Sequence, residues 1–475
     1  TGGTVATGGT VTTGGSVATA GSTATGGTSA TTTAPPPSIV SVSPLSGIVT
    51  TTVIISGQNF GDAPGTSSVT VAGSAVTPTY WCNTSIEVPI PRSVYPGSAN
   101  IAVTVGGKSS NAAAFDVLLP RTIYINKSAR SPAVNAVAAF SLTSYGMFTQ
   151  LQNSPFSTGD SGPNGGIDIN TLALHRATRR LFALNDFSVS AFDIDPVTGQ
   201  LTRTPNSPVS TGAAGGSGLT VNAAGTLVFA ANLCRDTCRY ADASISVFKV
   251  SATGVLTAVS GSPFEQAHGG GARNPALIRG DQLLVTTSDH DMPPFNDLVI
   301  NSVDAATGII TPITGSPFGV GTHSWNARTD PTGTWYYMSD TVPQLTGYAF
   351  QNSGTPVLLA GMPIATGTTS ALPNSMAISN DGSRLYMGSW DSNEVSVFSL
   401  NAGSATLVTN SPYTLDGLSK ITALAVTRGN THLVAADDNS KTLMVYPINS
   451  GIPNYLGQGG TFEDVGGVSG LLIAE

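Results

Sequence analysis

Charge is what this sequence has least of. Only 10% of its 475 residues are Asp, Glu, Lys or Arg, against about 25% in an average soluble protein. The formal net charge is -8 and no run of Lys or Arg occurs, which excludes a nucleic-acid partner, since that needs a basic footprint. Glutamate is confined to Glu87, Glu265, Glu394, Glu463 and Glu475, a poor supply for a carboxylate-rich metal centre. No stretch of about 18 apolar residues is present, so no helix is expected to span a bilayer. Cysteine is limited to Cys82, Cys234 and Cys238, too few ligands at close spacing for a zinc site. No metal and no cofactor is expected. The sequence begins at Thr1 without methionine or a signal peptide, which fits a secreted, extracellular or cell-surface chain whose targeting segment has been removed. In that oxidising setting Cys234 and Cys238 are candidates for a local disulfide, the alternative being two free thiols in a loop, while Cys82 is expected at a core or edge position.

Glycine (55) and proline (30) are abundant, and threonine and serine stand out beside them. Short strands joined by Gly/Pro turns predict an all-β architecture that faces water with hydroxyls and amides. Three regions follow one another.

Residues 1–34 are a Gly/Thr-rich repeat: TGGTVA, TGGTVT, TGGSVA, TAGSTA, TGGTSA. In triplets, the first place is always Thr or Ser, as at Thr1, and the third is small, as at Gly3, Gly9 and Gly15. A three-residue period matches a polyproline-II helix. A six-residue repeat fits a β-strand equally well, with Val5, Val11 and Val17 on one face. Composition alone describes a flexible, O-glycosylated linker. If the segment is ordered, its backbone entropy, on the order of 35–70 kcal/mol, exceeds what three valines return. Contacts with another copy would have to make up the difference. Thr1, Gly3, Val5, Gly9, Val11, Gly15 and Val17 are therefore the assembly candidates of a homo-polymer.

Residues 35–119 open with Pro35-Pro36-Pro37 and continue with period-2 runs such as Ile86, Val88, Ile90 and Ile101, Val103, Val105, punctuated by glycines. A β-sandwich is expected. PSIVSVSPLSG (37–47), VIISGQNFG (53–61), SVTVAG (68–73) and SIEVPIP (85–91) resemble the IPT/TIG family of immunoglobulin-like domains. The resemblance implies a spacer or adhesion module without catalysis.

Residues 120–475 repeat at intervals of about 50 residues. The marker is a turn glycine: Gly146, Gly199, Gly254, Gly308, Gly354, Gly403 and Gly451. After most of these comes a Ser-Pro motif, as in NSPF (153–156) and GSPF (261–264), with MPI (362–364) and GTF (460–462) as degenerate forms. Before each lies an aromatic-rich strand such as VSAFDI (189–194) or VSVFSL (395–400), and two further strands precede that. Four strands per repeat predict a seven-bladed β-propeller. RTIYIN (121–126) is already a second strand, so VSGLLIAE (468–475) is expected to supply the missing inner one and close the ring. The region resembles the YVTN/lactonase-like propellers, which implies a lactonase-like hydrolase as one activity.

The five histidines sort onto the two faces of such a propeller. His175 and His432 fall in first-to-second-strand hairpins. His268 and His323 fall in blade-to-blade connections and His290 in a second-to-third-strand loop, which share the opposite face with Arg273 and Asp291. Those five residues are the candidates for acid/base chemistry, against the plainer expectation of solvated loop residues. Gly269-Gly270-Gly271 could cradle an anion, but lacks the context of a phosphate loop. Trp325, Trp335, Tyr336, Tyr337 and Trp390 are sugar-stacking candidates or inter-blade core, and Asn83 and Asn126 lie in glycosylation sequons. No constellation compels a reaction. The leading expectation is an extracellular structural or adhesive subunit that self-assembles through residues 1–34. The alternatives are a secreted lactonase-like hydrolase and a propeller that binds a cell-surface glycan or protein. Whether the protein is an enzyme is left open, with the balance against.

Overall fold

A computed structural model describes residues 35–128, 133–163, 170–234, 243–266, 271–288, 297–320, 324–340, 342–368, 373–454, 457–461 and 467–475. Residues 1–34, with every assembly candidate, lie outside these.

The first unit is a two-sheet sandwich. One sheet runs in spatial order Ser38–Ser43, Thr52–Gln58, Ser85–Pro89, Tyr80–Cys82. The other runs Ser46–Gly47, Ala113–Val117, Gly97–Val105, Ser68–Val71, Ser74–Val76. Strict alternation builds it: in Thr52–Gln58, Val53 and Ile55 are fully buried and Thr52 and Ile54 face out. The inward residues of both sheets, with Phe60 and Phe115, form one core. Cys82 is a free, half-buried cysteine on the edge strand Tyr80–Cys82.

Seven five-stranded sheets follow, each a blade of four antiparallel strands with a short fifth segment added to the third strand. The ring is closed between termini: Gly467–Ala474 pairs antiparallel with Thr122–Ser128 over the register Thr122↔Ala474 to Ser128↔Gly467. The middle strands lose period-2 alternation because a neighbouring blade covers each face. All residues of Arg180–Leu184 and of Leu283–Ser288 are buried. Consecutive residues such as Leu181, Phe182, Ala183 and Leu184 are therefore apolar on both faces, unlike in the sandwich strands.

All seven turn glycines have positive φ, from 75° at Gly199 to 88° at Gly354, a region open to glycine at little steric cost. A second requirement is added by the neighbouring blade. The turn of each blade presses on the first residue of the second strand of the blade before it. A methyl group placed at Gly199 would lie 2.3 Å from Thr122 Oγ1, at Gly254 2.6 Å from Arg180 Nε, at Gly403 2.5 Å from Trp335 Nε1, and at Gly451 2.4 Å from Arg384 Nε. Buried tyrosines complete the joint: Tyr124 Oη donates to Gly199 O at 2.6 Å and Tyr386 Oη to Gly451 O at 2.9 Å.

The Ser-Pro motif marks where the outermost strand breaks. Asn153, Asn206 and Asn410, like Gly261 and Gly315, take positive φ just before it, and the Ser-Pro bonds are cis. Each serine hydroxyl then accepts the N–H of the third strand's centre, as Ser154 does from Ala139 (2.9 Å) and Ser411 from Val397 (2.8 Å). Met362 replaces serine in blade 5, keeps the cis bond to Pro363 and has no hydroxyl to offer.

The sandwich docks on the propeller face that carries the strand-one/strand-two hairpins, called here the hairpin face. Val197, in the third-to-fourth-strand turn of blade 2, packs against the sandwich core. The Arg179 guanidinium sits 4.3 Å over the Tyr95 ring and donates to Arg92 O at 3.1 Å. Arg92 faces Asp195 at 3.8 Å, and Arg428 of blade 7 pairs with Asp116 at 3.3 Å.

Candidate functional site

The opposite face, called the loop face, gathers the second-to-third-strand loops and the blade-to-blade connections. His268, His290, His323 and Asp291 belong to segments outside the described residues, as do Gly269, Gly270 and Cys238, so the proposed histidine face and the Cys234–Cys238 pairing are untested. The strands that flank those segments are described, and they bring an unexpected set of side chains together.

The corresponding position at the loop-face end of each second strand is polar: Lys127, Asn185, Asn232, Ser288, Asp340, Ser389 and Asp437. All seven are buried, Lys127 to 3% and Asp437 to 0% exposure. Buried charges and amides at this density need partners. Asn185 Nδ2 donates to Ser188 and Ser190 hydroxyls at 3.0 and 2.9 Å, and Asn232 Nδ2 to Ser246 Oγ at 3.0 Å. Asp340 accepts from Gln344 Nε2 at 2.9 Å. Asp437 accepts from Ser419 N and Oγ at 2.8 and 2.6 Å, and from Asn439 N and Ser440 N at 2.8 and 3.1 Å.

The inner strands bulge beside this ring, with register shifts between Gly216 and Gly218, Arg273 and Ala276, Ser324 and Ala327, and Pro373 and Ser375. Bulges re-aim side chains and recur beside functional sites. Here they sit at Arg273, Trp325 and Asn374. Arg273, the one candidate of the five within the described residues, is buried and lies 5.6 Å over the Trp325 ring. A second cation-aromatic pair, Lys420 over Trp390 at 3.6 Å, stands at blades 6 and 7. The amide oxygens of Asn274 and Asn374 and the hydroxyls of Ser288 and Ser389 are buried without a partner among the described residues. Such groups, concentrated at one end of the channel, can engage a ligand rich in hydroxyls or carbonyls.

Other candidates are structural. His175 Nδ1 shares a hydrogen with Thr178 Oγ1 at 2.7 Å and Nε2 with Ala223 O at 3.0 Å, which ties blade 2 to the next hairpin. His432 packs beneath Gly146, and burial, followed by the Arg121 charge, lowers its pKa. Tyr336 and Tyr337 are fully buried between blades, and Trp335 supports Gly403. Gly271 fits tightly against Leu233, which accounts for it by packing. The Asn126 sequon is a pattern only: its side chain is fully buried, donating to Thr171 Oγ1 and Leu184 O at 2.9 Å each, and is closed to modification in the fold.

Asp437 gives a pH test. Burial pushes its carboxyl up, but the hydrogen bonds from Ser419 and Ser440 outweigh this and hold it at about 2, below the ordinary 3.8. Its contribution to stability is present above pH 3.8 and is lost as pH falls through the folded value. Asp437→Asn is expected to cost about 2–3 kcal/mol at neutral pH. A melting-temperature series should show the wild-type advantage shrinking from pH 4 toward pH 2.

The two units define an immunoglobulin-like sandwich joined to a seven-bladed propeller of lactonase-like fold. Residues 37–117 match the IPT/TIG domain family. No curated protein matches the chain. Among solved structures, the periplasmic gluconolactonase of Pseudomonas aeruginosa aligns at 16% identity with a TM-score of 0.60, over 75% of this chain and 99% of that one. A putative 6-phosphogluconolactonase from Bacteroides fragilis aligns at 16% identity and 0.57, over 75% and 98%. A protein from Lactobacillus plantarum aligns at 17% and 0.57, over 75% and 99%. At these identities the likeness is one of fold. Among the described residues no helix is long and apolar enough to cross a membrane, and no cluster of three or more His, Cys, Asp or Glu could hold a metal.

Proposed function

We propose that the protein is an extracellular structural or adhesive subunit in which the sandwich spaces the propeller from an assembling N-terminal repeat. The observation that carries this reading is the polarity of the sandwich. Its propeller-docked pole holds Pro91–Tyr95 and Asp116, where Thr52 pairs with Pro89 and Gly97 with Val117. The chain enters at the other pole, where Ser38 pairs with Gln58 and Asn59 Nδ2 donates to Pro36 O. The described chain therefore begins at the pole remote from the propeller, and an assembling repeat that precedes it would leave the propeller displayed. A hydroxyl-rich, charge-poor surface suits dense packing of subunits, since little charge has to be neutralised or desolvated.

Electron microscopy of the full-length protein beside a version lacking residues 1–34 tests this. Filaments are expected only with the repeat present. Truncated protein that still polymerises, or full-length protein that stays monodisperse, would sink the proposal.

The loop-face cluster favours a second reading, a propeller that binds or hydrolyses a lactone or glycan. The periplasmic gluconolactonase of Pseudomonas aeruginosa shares its fold. Turnover of a lactone by the intact protein, lost when His268, His290 and His323 are all replaced by Ala, would support hydrolysis there. A glycan array without hits, together with a lactone panel without turnover, would remove it.

A further inference from the structure

The channel also opens on the hairpin face, remote from the cluster above. There it widens into a cavity of about 620 Å³, adjoined by one of about 470 Å³ that shares Leu277, Asp281, Arg328 and Leu472 in its wall. This is the size range of small-molecule sites. Much of the wall is apolar, including Ile378, Leu424, Leu472 and Ile473.

Four charges line it: Arg176, Arg328, Asp281 and Asp330. The carboxylates are engaged by hairpin groups, Asp330 by its own hairpin and Asp281 by that of the preceding blade. Asp330 accepts Thr334 N and Trp335 N at 2.7 Å each and Thr332 N at 2.9 Å, with the Thr332 hydroxyl besides. Asp281 Oδ2 accepts Ala223 N at 2.7 Å. Arg328 Nη1 is anchored on Asn326 Oδ1 at 2.7 Å and Ala327 O at 3.0 Å. Arg176 differs. It stands in the short turn Arg176–Thr178, open to the cavity, and its hydrogen bond is a long one to Ile473 O at 3.4 Å. A guanidinium carries five donors, so most of this one's have no acceptor among the described residues and face the solvent of the cavity. The fold thus holds an exposed guanidinium with spare donors at the wall of a cavity lined by both polar and apolar groups.

We propose that this cavity binds a small organic monocarboxylate, its carboxylate on Arg176 with Arg328 beside it and its apolar body against Ile378, Leu424 and Leu472. A fork of guanidinium donors matches a carboxylate bidentately. Asp281 and Asp330 leave the wall with no net positive charge, so only the local guanidinium fork favours an anion, which disfavours a dianion relative to a monoanion.

Isothermal titration of the full-length protein with octanoate and benzoate, against octanol, benzyl alcohol and inorganic phosphate, is the test. The carboxylates are expected to bind one per chain, at least tenfold tighter than the matching alcohols, with phosphate weaker than either carboxylate. Arg176→Gln should weaken octanoate about tenfold or more while leaving octanol unchanged. Arg176→Lys, which keeps the charge but not the fork, should fall between; it preserves the test if the Gln variant is unstable. Equal affinity for acid and alcohol, unchanged octanoate binding in both variants, or no binding at millimolar carboxylate would overturn the proposal.

Discussion

Removal of residues 467–475 should leave the propeller unable to close, with loss of cooperative folding. Gly467–Ala474 is the inner strand of blade 1, paired along the whole length of Thr122–Ser128. Val468 and Ile473 lie in the core shared with Val434 and Leu443, and Ala474 in the one shared with Leu181 and Phe192. Glu475 adds an ion pair to Arg121 and accepts Arg428 N. At about 1.5–3 kcal/mol for each fully buried apolar side chain and about half that for a half-buried one, losing Val468 and Ile473 with the half-buried Leu471 and Leu472 removes roughly 4–9 kcal/mol. That is comparable with the whole stability of an ordinary domain, about 5–15 kcal/mol. Deletion also bares both edges of the opened ring to other chains. Size-exclusion chromatography and a thermal melt should show aggregation or a broad, lowered transition. A truncated protein that stays monomeric and melts within a few degrees of the intact one would mean that closure contributes little.

The second large effect is expected at the turn glycines. Gly403→Ala should be markedly more damaging than Gly361→Ala. Both glycines have positive φ, 86° and 80°, so each substitution carries the left-handed cost of about 1–2 kcal/mol. Gly361 has nothing within 4 Å of the added methyl, whereas Gly403 would place it 2.5 Å from Trp335 Nε1. Trp335 opens the second strand of the previous blade and is held by pairing with Ala349, so the methyl forces two blades apart, at about 1–3 kcal/mol more. Denaturant midpoints of the two variants read the difference directly. Equal losses would show that backbone conformation alone selects glycine there.

The sequence had already located these glycines, because positive φ is a local demand that one residue type meets cheaply. The same holds for the Ser-Pro breaks, and for the closing strand, since a repeat that begins on its second strand must borrow its first. What the repeat did not disclose was the reason for the glycines beyond the turn. The contact of Gly403 with Trp335 joins residues a full blade apart, and no local pattern encodes it. Of the candidate site, Arg273 was singled out, whereas Lys127, Asp340 and Asp437 passed unnoticed. Each is an ordinary polar residue at the end of a strand. Aligning the second strands by their central residue would have exposed the ring as a repeated polar position.

By itself, then, the sequence determined the architecture: a Gly/Thr repeat, an IPT/TIG sandwich and seven blades closed by the last strand, all written in periodicities and turn residues that act over a few positions. Tertiary structure alone decided which polar residues are buried together at the loop face, how Tyr95 and Val197 lock sandwich to propeller, and that Arg176 stands at the wall of a cavity. Those arrangements draw single residues from blades far apart in the chain, and only ring closure brings them within reach of one another.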